Sequence, residues 1–220
     1  MQYGFPGEMV GTWRREMGER LLPLQEQAVR RHKLFDGGNL LVQAPTSAGK
    51  TFVGELAAVE TALRRKRVVY LAPLKALAEE KYLDFAAKYA DYGLKIIVSS
   101  RDHREHDEAF ARGDYSIAVV VYEKLSQLLV RRPEQLSEID LVVADELELL
   151  SDPERGPGVE LLLTQVLRGG CRVLGLSAVM GEPERVAQWM DGELLQYGQR
   201  PIELRYGVLH EGTFRYRTYN

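Results

Sequence analysis

The 220-residue sequence predicts an α/β domain, a mostly parallel central sheet with helices on both faces. Two observations carry this. Short β-branched apolar runs alternate with longer helical patterns along most of the chain, as successive strand–helix–strand units require. Several runs, Val68-Val69-Tyr70-Leu71 and Val119-Val120-Val121 among them, are apolar without interruption, as strands covered on both faces should be.

Residues 7–32 read as one or two helices broken near Pro23. The predicted strands follow at 40–43, 68–72, 95–99, 117–122, 141–144 and 172–176. Between and after them lie helical patterns at 49–64, 74–89, 122–130, 158–167 and 182–190. Right-handed crossovers are expected between the strands. From Glu193 onward helical periodicity fades, and residues 202–209 read as a short strand leading out of the domain. No internal repeat and no low-complexity stretch interrupts this order.

The composition, 45% hydrophobic and 28% charged, excludes a disordered tail, a collagen-like repeat and a disulfide-stapled miniprotein. Lys and Arg total 29 against 32 Asp and Glu, a net charge of −3. There is no global basic field, so any contact with nucleic acid must be local. The single cysteine, Cys171, cannot form an internal disulfide and suits a reducing compartment. No apolar stretch approaches the roughly 20 residues of a membrane span, and the first ten residues lack a signal-peptide pattern. A cytoplasmic protein without a membrane partner is expected.

The most informative segment is Ala44-Pro45-Thr46-Ser47-Ala48-Gly49-Lys50-Thr51. It follows a strand and opens a helix, the setting a phosphate-binding loop requires. In such a loop the backbone N–H groups of Thr46, Ser47, Ala48 and Gly49 wrap a polyphosphate at the positive end of the helix. Lys50 would reach the outer phosphates and the Thr51 hydroxyl would ligate Mg²⁺. Ala44 stands where the usual pattern has its first glycine. An NTPase also needs an acidic group at the end of a buried strand, and Leu141-Val142-Val143-Ala144-Asp145-Glu146 supplies two. Asp145 would hold the metal and Glu146 would act as general base on the attacking water. In an open parallel sheet both loops leave the carboxyl ends of strands, where ligands bind.

Further motifs then fall into a known order. The segment from Pro45 to Thr51 resembles motif I of superfamily-two helicases, in the Ski-two-like DExH branch. Ala72-Pro73-Leu74-Lys75-Ala76-Leu77-Ala78-Glu79-Glu80-Lys81 is similar to motif Ia of that branch, and Val121-Tyr122-Glu123-Lys124 to motif Ib. Asp145-Glu146-Leu147-Glu148 sits where motif II belongs, and Leu176-Ser177-Ala178-Val179 resembles motif III. Leu22-Pro23-Leu24-Gln25 with Ala28-Val29 is similar to the Q-motif.

The resemblance implies a RecA-like ATP-binding first motor domain over residues 21–200. Residues 1–20 would lead in, and 201–220 would leave toward a second RecA-like domain of the parent chain. It implies ATP and Mg²⁺ as cofactors, and DNA or RNA, single-stranded, as partner. Gln25 would read the adenine edge, since an amide donates and accepts at once. Pro73, Leu74 and Lys75, with Glu123 and Lys124, would contact the nucleic-acid backbone. Glu148, Ser177 and Val179 would couple the nucleotide site to domain closure. Two departures stand out: Glu148 replaces the usual His or Asp, and Val179 replaces a threonine. The expectation is that hydrolysis survives while its coupling to strand separation is altered. An ATP-dependent clamp or remodeller without unwinding is the alternative. Family members draw transition-state arginines from the second domain, so the 220 residues alone should turn over ATP poorly.

Some features are expected to be structural. His103 and His106 belong to a charged loop or helix, since no Cys or further His completes a metal site. Cys171 reads as a buried thiol. The stretch Arg155-Gly156-Pro157-Gly158 reads equally as a mobile loop or a helix start. Tyr206, Tyr216 and Tyr219 are read as covering the linker to a partner domain, ahead of the alternative that they stack on bases.

Overall fold

A computed structural model describes residues 3–99, 104–199 and 204–219. Seven parallel strands form the main sheet. They are β1 (Asn39–Gln43), β2 (Val68–Ala72), β3 (Ile96–Val98), β4 (Ile117–Val121), β5 (Leu141–Ala144), β6 (Arg172–Ser177) and β7 (Gly192–Gln196). Their spatial order is β3-β4-β2-β5-β6-β1-β7. All five residues of β2 and all four of β5 are buried, which accounts for their unbroken apolar runs.

Two cores follow from the two sheet faces. On one face pack α1 (Gly7–Met17), α2 (Pro23–Arg30), α3 (Lys50–Leu63) and α4 (Lys75–Tyr89). On the other pack α5 (Arg104–Arg112), α6 (Tyr122–Arg131), α7 (Gly156–Arg168) and α8 (Pro183–Trp189). The break near Pro23 is a helix start: proline occupies the first helical position of α2, where its missing N–H is not needed. Met9 and Trp13 bury α1 in the same core as α2, α3 and α4.

Two elements, β7 and the partner strand of the exit hairpin, differ from the sequence reading. Where helical periodicity fades, the chain forms β7, which pairs with β1 along all five residues. Only Leu195 of this edge strand is buried, so it has no apolar run to announce it. The charged stretch around His106 takes the helical one of its two expected forms, α5, while His103 lies outside the described residues. The exit strand is half of a hairpin, β8 (Leu204–His210) with β9 (Thr213–Tyr219). Its turn residues Glu211 and Gly212 both have positive φ, which suits the twist of a two-residue hairpin. Tyr216 stacks on Phe214 within this hairpin, and the side chains of Tyr206 and Tyr219 lie outside the described residues.

No described helix is long and apolar enough to cross a membrane.

Candidate nucleotide site

The strand order sets the site. β1 and β5 flank β6, so the loop after β1, the turn after β5 and the end of β6 emerge side by side at one sheet edge.

The Ala44 N–H donates to the Ser177 carbonyl (3.1 Å), which carries the β1–β6 ladder into the loop. The Ala48 N–H donates to the Pro45 carbonyl (3.3 Å) and closes the turn. Ser47 (φ 71°) and Gly49 (φ 92°) are left-handed, a conformation that turns neighbouring N–H groups into an anion-binding concavity. Ala44 is not among the positive-φ residues, so its Cβ replaces the usual glycine without strain. α3 begins at Lys50 with no side-chain cap, leaving its first N–H groups for an anion. The Lys50 side chain is buried, and Nζ donates to the carbonyls of Ala44 (2.7 Å) and Pro45 (3.1 Å). Thr46, Ser47 and Thr51 are exposed along the loop and first helical turn, and Ala48 is buried beneath them.

Gln25 is 2% exposed and lies against this loop. Its Oε1 accepts the Leu22 N–H (2.9 Å), capping α2, and its Nε2 donates to the Gly49 carbonyl (3.4 Å). A Cβ at Gly49 would lie 2.3 Å from Gln25 Nε2, so the position demands glycine for both its φ and its neighbour.

Asp145 follows β5 and is held from three directions. The Tyr70 hydroxyl donates to Oδ2 (2.8 Å), the Glu146 N–H donates to Oδ1 (3.0 Å), and the Tyr122 hydroxyl donates to the main-chain carbonyl (2.7 Å). Burial pushes the Asp145 carboxyl up, against the bonds from Tyr70 and the Glu146 N–H and the charges of Lys81 and Lys50. Glu146 adopts φ 52°, an uncommon left-handed conformation for a non-glycine residue and one that concentrates at functional sites. Its carboxyl is pushed up to about 7 by the neighbouring Glu148 carboxyl, by burial and by the charge of Asp145. Burial raises the Glu148 carboxyl, but the bonds from Glu146, its own backbone, Ser177 and Ala178 together bring it below the usual range. The Ser177 hydroxyl (2.8 Å) and the Ala178 N–H (3.1 Å) both donate to Glu148 Oε2.

The structure thus brings Gln25, the 46–51 loop, Asp145, Glu146, Glu148 and Ser177 to one edge. Val179 is 74% exposed and is not drawn into this network. Leu74 and Lys75 are exposed and Pro73 half-buried at the entrance to α4, which also lacks a side-chain cap. Glu123 and Lys124 are engaged within the chain: Glu123 accepts from Arg155, and Lys124 Nζ lies 2.9 Å from Asp107. His106 packs its ring on Tyr82 and sets Nδ1 3.2 Å from the Val98 carbonyl. Cys171 is buried and its thiol pushed up to about 12, chiefly by that burial. The 155–158 stretch is a helix start, since α7 begins at Gly156.

The sequence reading gives Tyr70, Tyr122 and Arg155 no role at the site, although each lies in a segment it singles out. A signal existed for the two tyrosines: a tyrosine in or at the end of an apolar buried run needs a hydroxyl partner.

A phosphate loop and an acidic strand end, separated by one strand of a parallel sheet, define a RecA-like P-loop domain of the helicase type. The sequence profile of the DEAD/DEAH box helicase family matches residues 22–186, and the chain belongs to that family. It is similar to the ATP-dependent DNA helicase Hel308 of Thermococcus kodakarensis, with 40% identity over 195 residues, 88% of this chain and 17% of that protein. The Hel308 of Pyrococcus abyssi is 38% identical over 90% of this chain and 27% of its own length. That of Methanocaldococcus jannaschii is 37% identical over 86% of this chain and 16% of its own. The chain therefore spans only 16% to 27% of the length of these relatives. The crystal structure of a hypothetical ATP-dependent RNA helicase from Sulfolobus tokodaii superposes with a TM-score of 0.68 at 19% identity. The match covers 87% of this chain and 57% of that one, and shows the shared fold.

Proposed function

We propose that the chain is the first, nucleotide-binding motor domain of an ATP-dependent nucleic-acid helicase or translocase. Residues 21–200 would form the domain, 1–20 lead into it, and 201–220 lead toward a second RecA-like domain. The observation that carries the reading is the meeting of the Lys50 loop and the Asp145–Glu146 pair across β6. A cytoplasmic setting goes with it.

ATP and Mg²⁺ fit the residues present. The loop at Gly49 leaves no room for a Cβ, and a buried ammonium sits beside uncapped helix N–H groups. One hydroxyl and one carboxylate, Thr51 and Asp145, suit Mg²⁺, which keeps water and phosphate oxygens for its remaining positions. Among the described residues no group of three or more His, Cys, Asp or Glu is placed to hold a metal. ATP supplies the cleavable phosphoanhydride, and Mg²⁺ neutralises its charge. Lys50 would exchange its two loop carbonyls for phosphate oxygens, and the amides of Thr46 to Gly49 would hold the remainder. Glu146 would take the proton of the attacking water, and Gln25 would read the adenine edge. Pro73, Leu74 and Lys75 would hold a polynucleotide backbone, and Glu148 and Ser177 would link the two events.

The relatives are named as DNA helicases, which favours single-stranded DNA over RNA. The test is steady-state ATP hydrolysis by the full-length protein with no polynucleotide, with single-stranded DNA and with single-stranded RNA. Stimulation by DNA above RNA is expected, with Lys50→Ala losing about 10²-fold or more in turnover. Normal turnover indifferent to both polymers would mean a P-loop ATPase unrelated to nucleic acid. ATP-dependent binding without strand separation would mean a clamp.

A further inference from the structure

The loop between the acidic turn and α7 carries an arginine whose side-chain partners lie in segments far away in sequence. Asp152 Oδ1 accepts the N–H groups of Glu154 (2.9 Å) and Arg155 (2.8 Å), folding the chain sharply after the short 3₁₀ turn Leu147–Ser151. Gly156 is buried against that turn: a Cβ there would lie 2.4 Å from the Leu150 carbonyl oxygen. The loop is therefore pinned to the backbone that immediately follows the acidic pair, and the pinning sets where Arg155 starts.

Arg155 Nε and Nη2 donate to Glu123 Oε1 (3.0 and 2.8 Å), and Nη2 also donates to the Pro73 carbonyl (2.8 Å). One guanidinium thus joins the exit of β2, the first turn of α6 and the entrance to α7. The ion pair is part-exposed and by itself would be worth little. The carbonyl matters more, because it belongs to the residue before Leu74, the extended N-cap of α4. Fixing Pro73 fixes the peptide from which the uncapped N-terminus of α4 departs. A planar fork can serve a carboxylate and a carbonyl together, whereas an ammonium cannot copy that geometry. Glu123 is a poor candidate to meet a phosphate, since like charges repel, but a good anchor for a guanidinium.

We propose that Arg155 is the positioning residue of the nucleic-acid seat, holding the Pro73–Leu74–Lys75 turn in shape from the loop behind the acidic pair, with Glu123 as its anchor and not as a contact to the polymer. This rests on the reading that Pro73 to Lys75 hold a polynucleotide backbone.

The test is equilibrium binding of a fluorescent single-stranded DNA oligomer to the full-length protein over a series of salt concentrations. Wild type is compared with Arg155→Ala, Arg155→Lys, Glu123→Ala and the Arg155→Ala/Glu123→Ala pair, with Lys75→Ala as the direct-contact reference. Arg155→Ala should weaken binding by about tenfold, Arg155→Lys should not restore it, and the double variant should be no weaker than Arg155→Ala. The slope of log affinity against log salt should be unchanged in Arg155→Ala and about one unit shallower in Lys75→Ala. Wild-type affinity in Arg155→Ala, full rescue by lysine, or a slope loss equal to that of Lys75→Ala would each overturn the assignment. If Arg155→Ala does not fold, Glu123→Ala decides: weaker binding at unchanged slope supports the proposal, and wild-type binding overturns it. A wild-type protein that binds no polynucleotide removes the underlying reading itself, a result distinct from all of these.

Discussion

The hydroxyl of Ser177, last residue of β6, donates a 2.8 Å hydrogen bond to Glu148 Oε2, three residues beyond Asp145. The strand between the phosphate loop and the acidic turn is thereby fastened to the acidic turn. Because the Ala44 N–H donates to the carbonyl of the same Ser177, one residue touches both halves of the site. A displacement at the end of β6 cannot leave either half undisturbed.

Ser177→Ala removes the donor and leaves Glu148 with one fewer partner at a part-buried position. The expected cost is about 1 kcal/mol in urea unfolding. ATP turnover should persist, while base pairs opened per ATP should fall. Val179 is the contrast, being exposed: Val179→Thr should leave stability within about 0.5 kcal/mol of wild type. If valine at this position alters coupling, threonine should change the ratio of base pairs opened to ATP consumed. Equal ratios in wild type and Val179→Thr would count against that role.

Tyr70→Phe keeps the ring that packs edge-on against Phe85 at 5.7 Å and deletes only the hydroxyl on Asp145 Oδ2. Asp145 then loses one of the groups that orient it. The free Mg²⁺ needed for half-maximal ATPase should rise several-fold, while unfolding free energy drops by about 1 kcal/mol. An unchanged Mg²⁺ requirement would show that the backbone bonds of Asp145 suffice to aim it.

Much of this was legible in advance because it is local. The phosphate loop is eight consecutive residues, and β2 and β5 declare themselves by burial on both faces. What could not be read depends on partners remote in sequence. β7 has one buried residue, and its pairing is supplied by the open edge of β1. Tyr70 meets Asp145 across 75 residues and Arg155 meets Pro73 across 82, pairings set by sheet order and not by any pattern around either residue. The partners of Glu123 and Lys124 follow the same rule: a motif fixes residue types, while the fold brings Arg155 to the first and Asp107 to the second.

Cys171 offers a check on the second core. Its thiol is buried beside the start of β6 and pushed up to about 12. The neutral form is favoured in the folded state, so the native protein holds only about one part in 10⁴ as thiolate at pH 8, against roughly a quarter for an unfolded cysteine. Alkylation by iodoacetamide at pH 8 should be on the order of 10³-fold slower in native protein than in urea. Because deprotonation favours the unfolded chain, stability should also decline as pH rises above the ordinary thiol pKa. Native labelling as fast as unfolded labelling would mean that α7 and β6 do not close over this residue.

Gln25 carries two duties that substitution can separate. Its Oε1 caps α2 through the Leu22 N–H, and its Nε2 ties α2 to the phosphate loop through the Gly49 carbonyl. Gln25→Glu retains an acceptor for Leu22 but loses the donor and sets a carboxylate against a carbonyl. Gln25→Ala loses both bonds and should cost about 1–2 kcal/mol in unfolding free energy. If the amide also reads adenine, the glutamate variant should lose preference for ATP over GTP while keeping more of its stability than the alanine variant. The two quantities to measure are competition of ATP and GTP for a fluorescent nucleotide and the urea midpoint of each protein. Selectivity retained in Gln25→Glu would assign the residue to architecture alone, since the bonds to Leu22 and Gly49 already account for both ends of its amide.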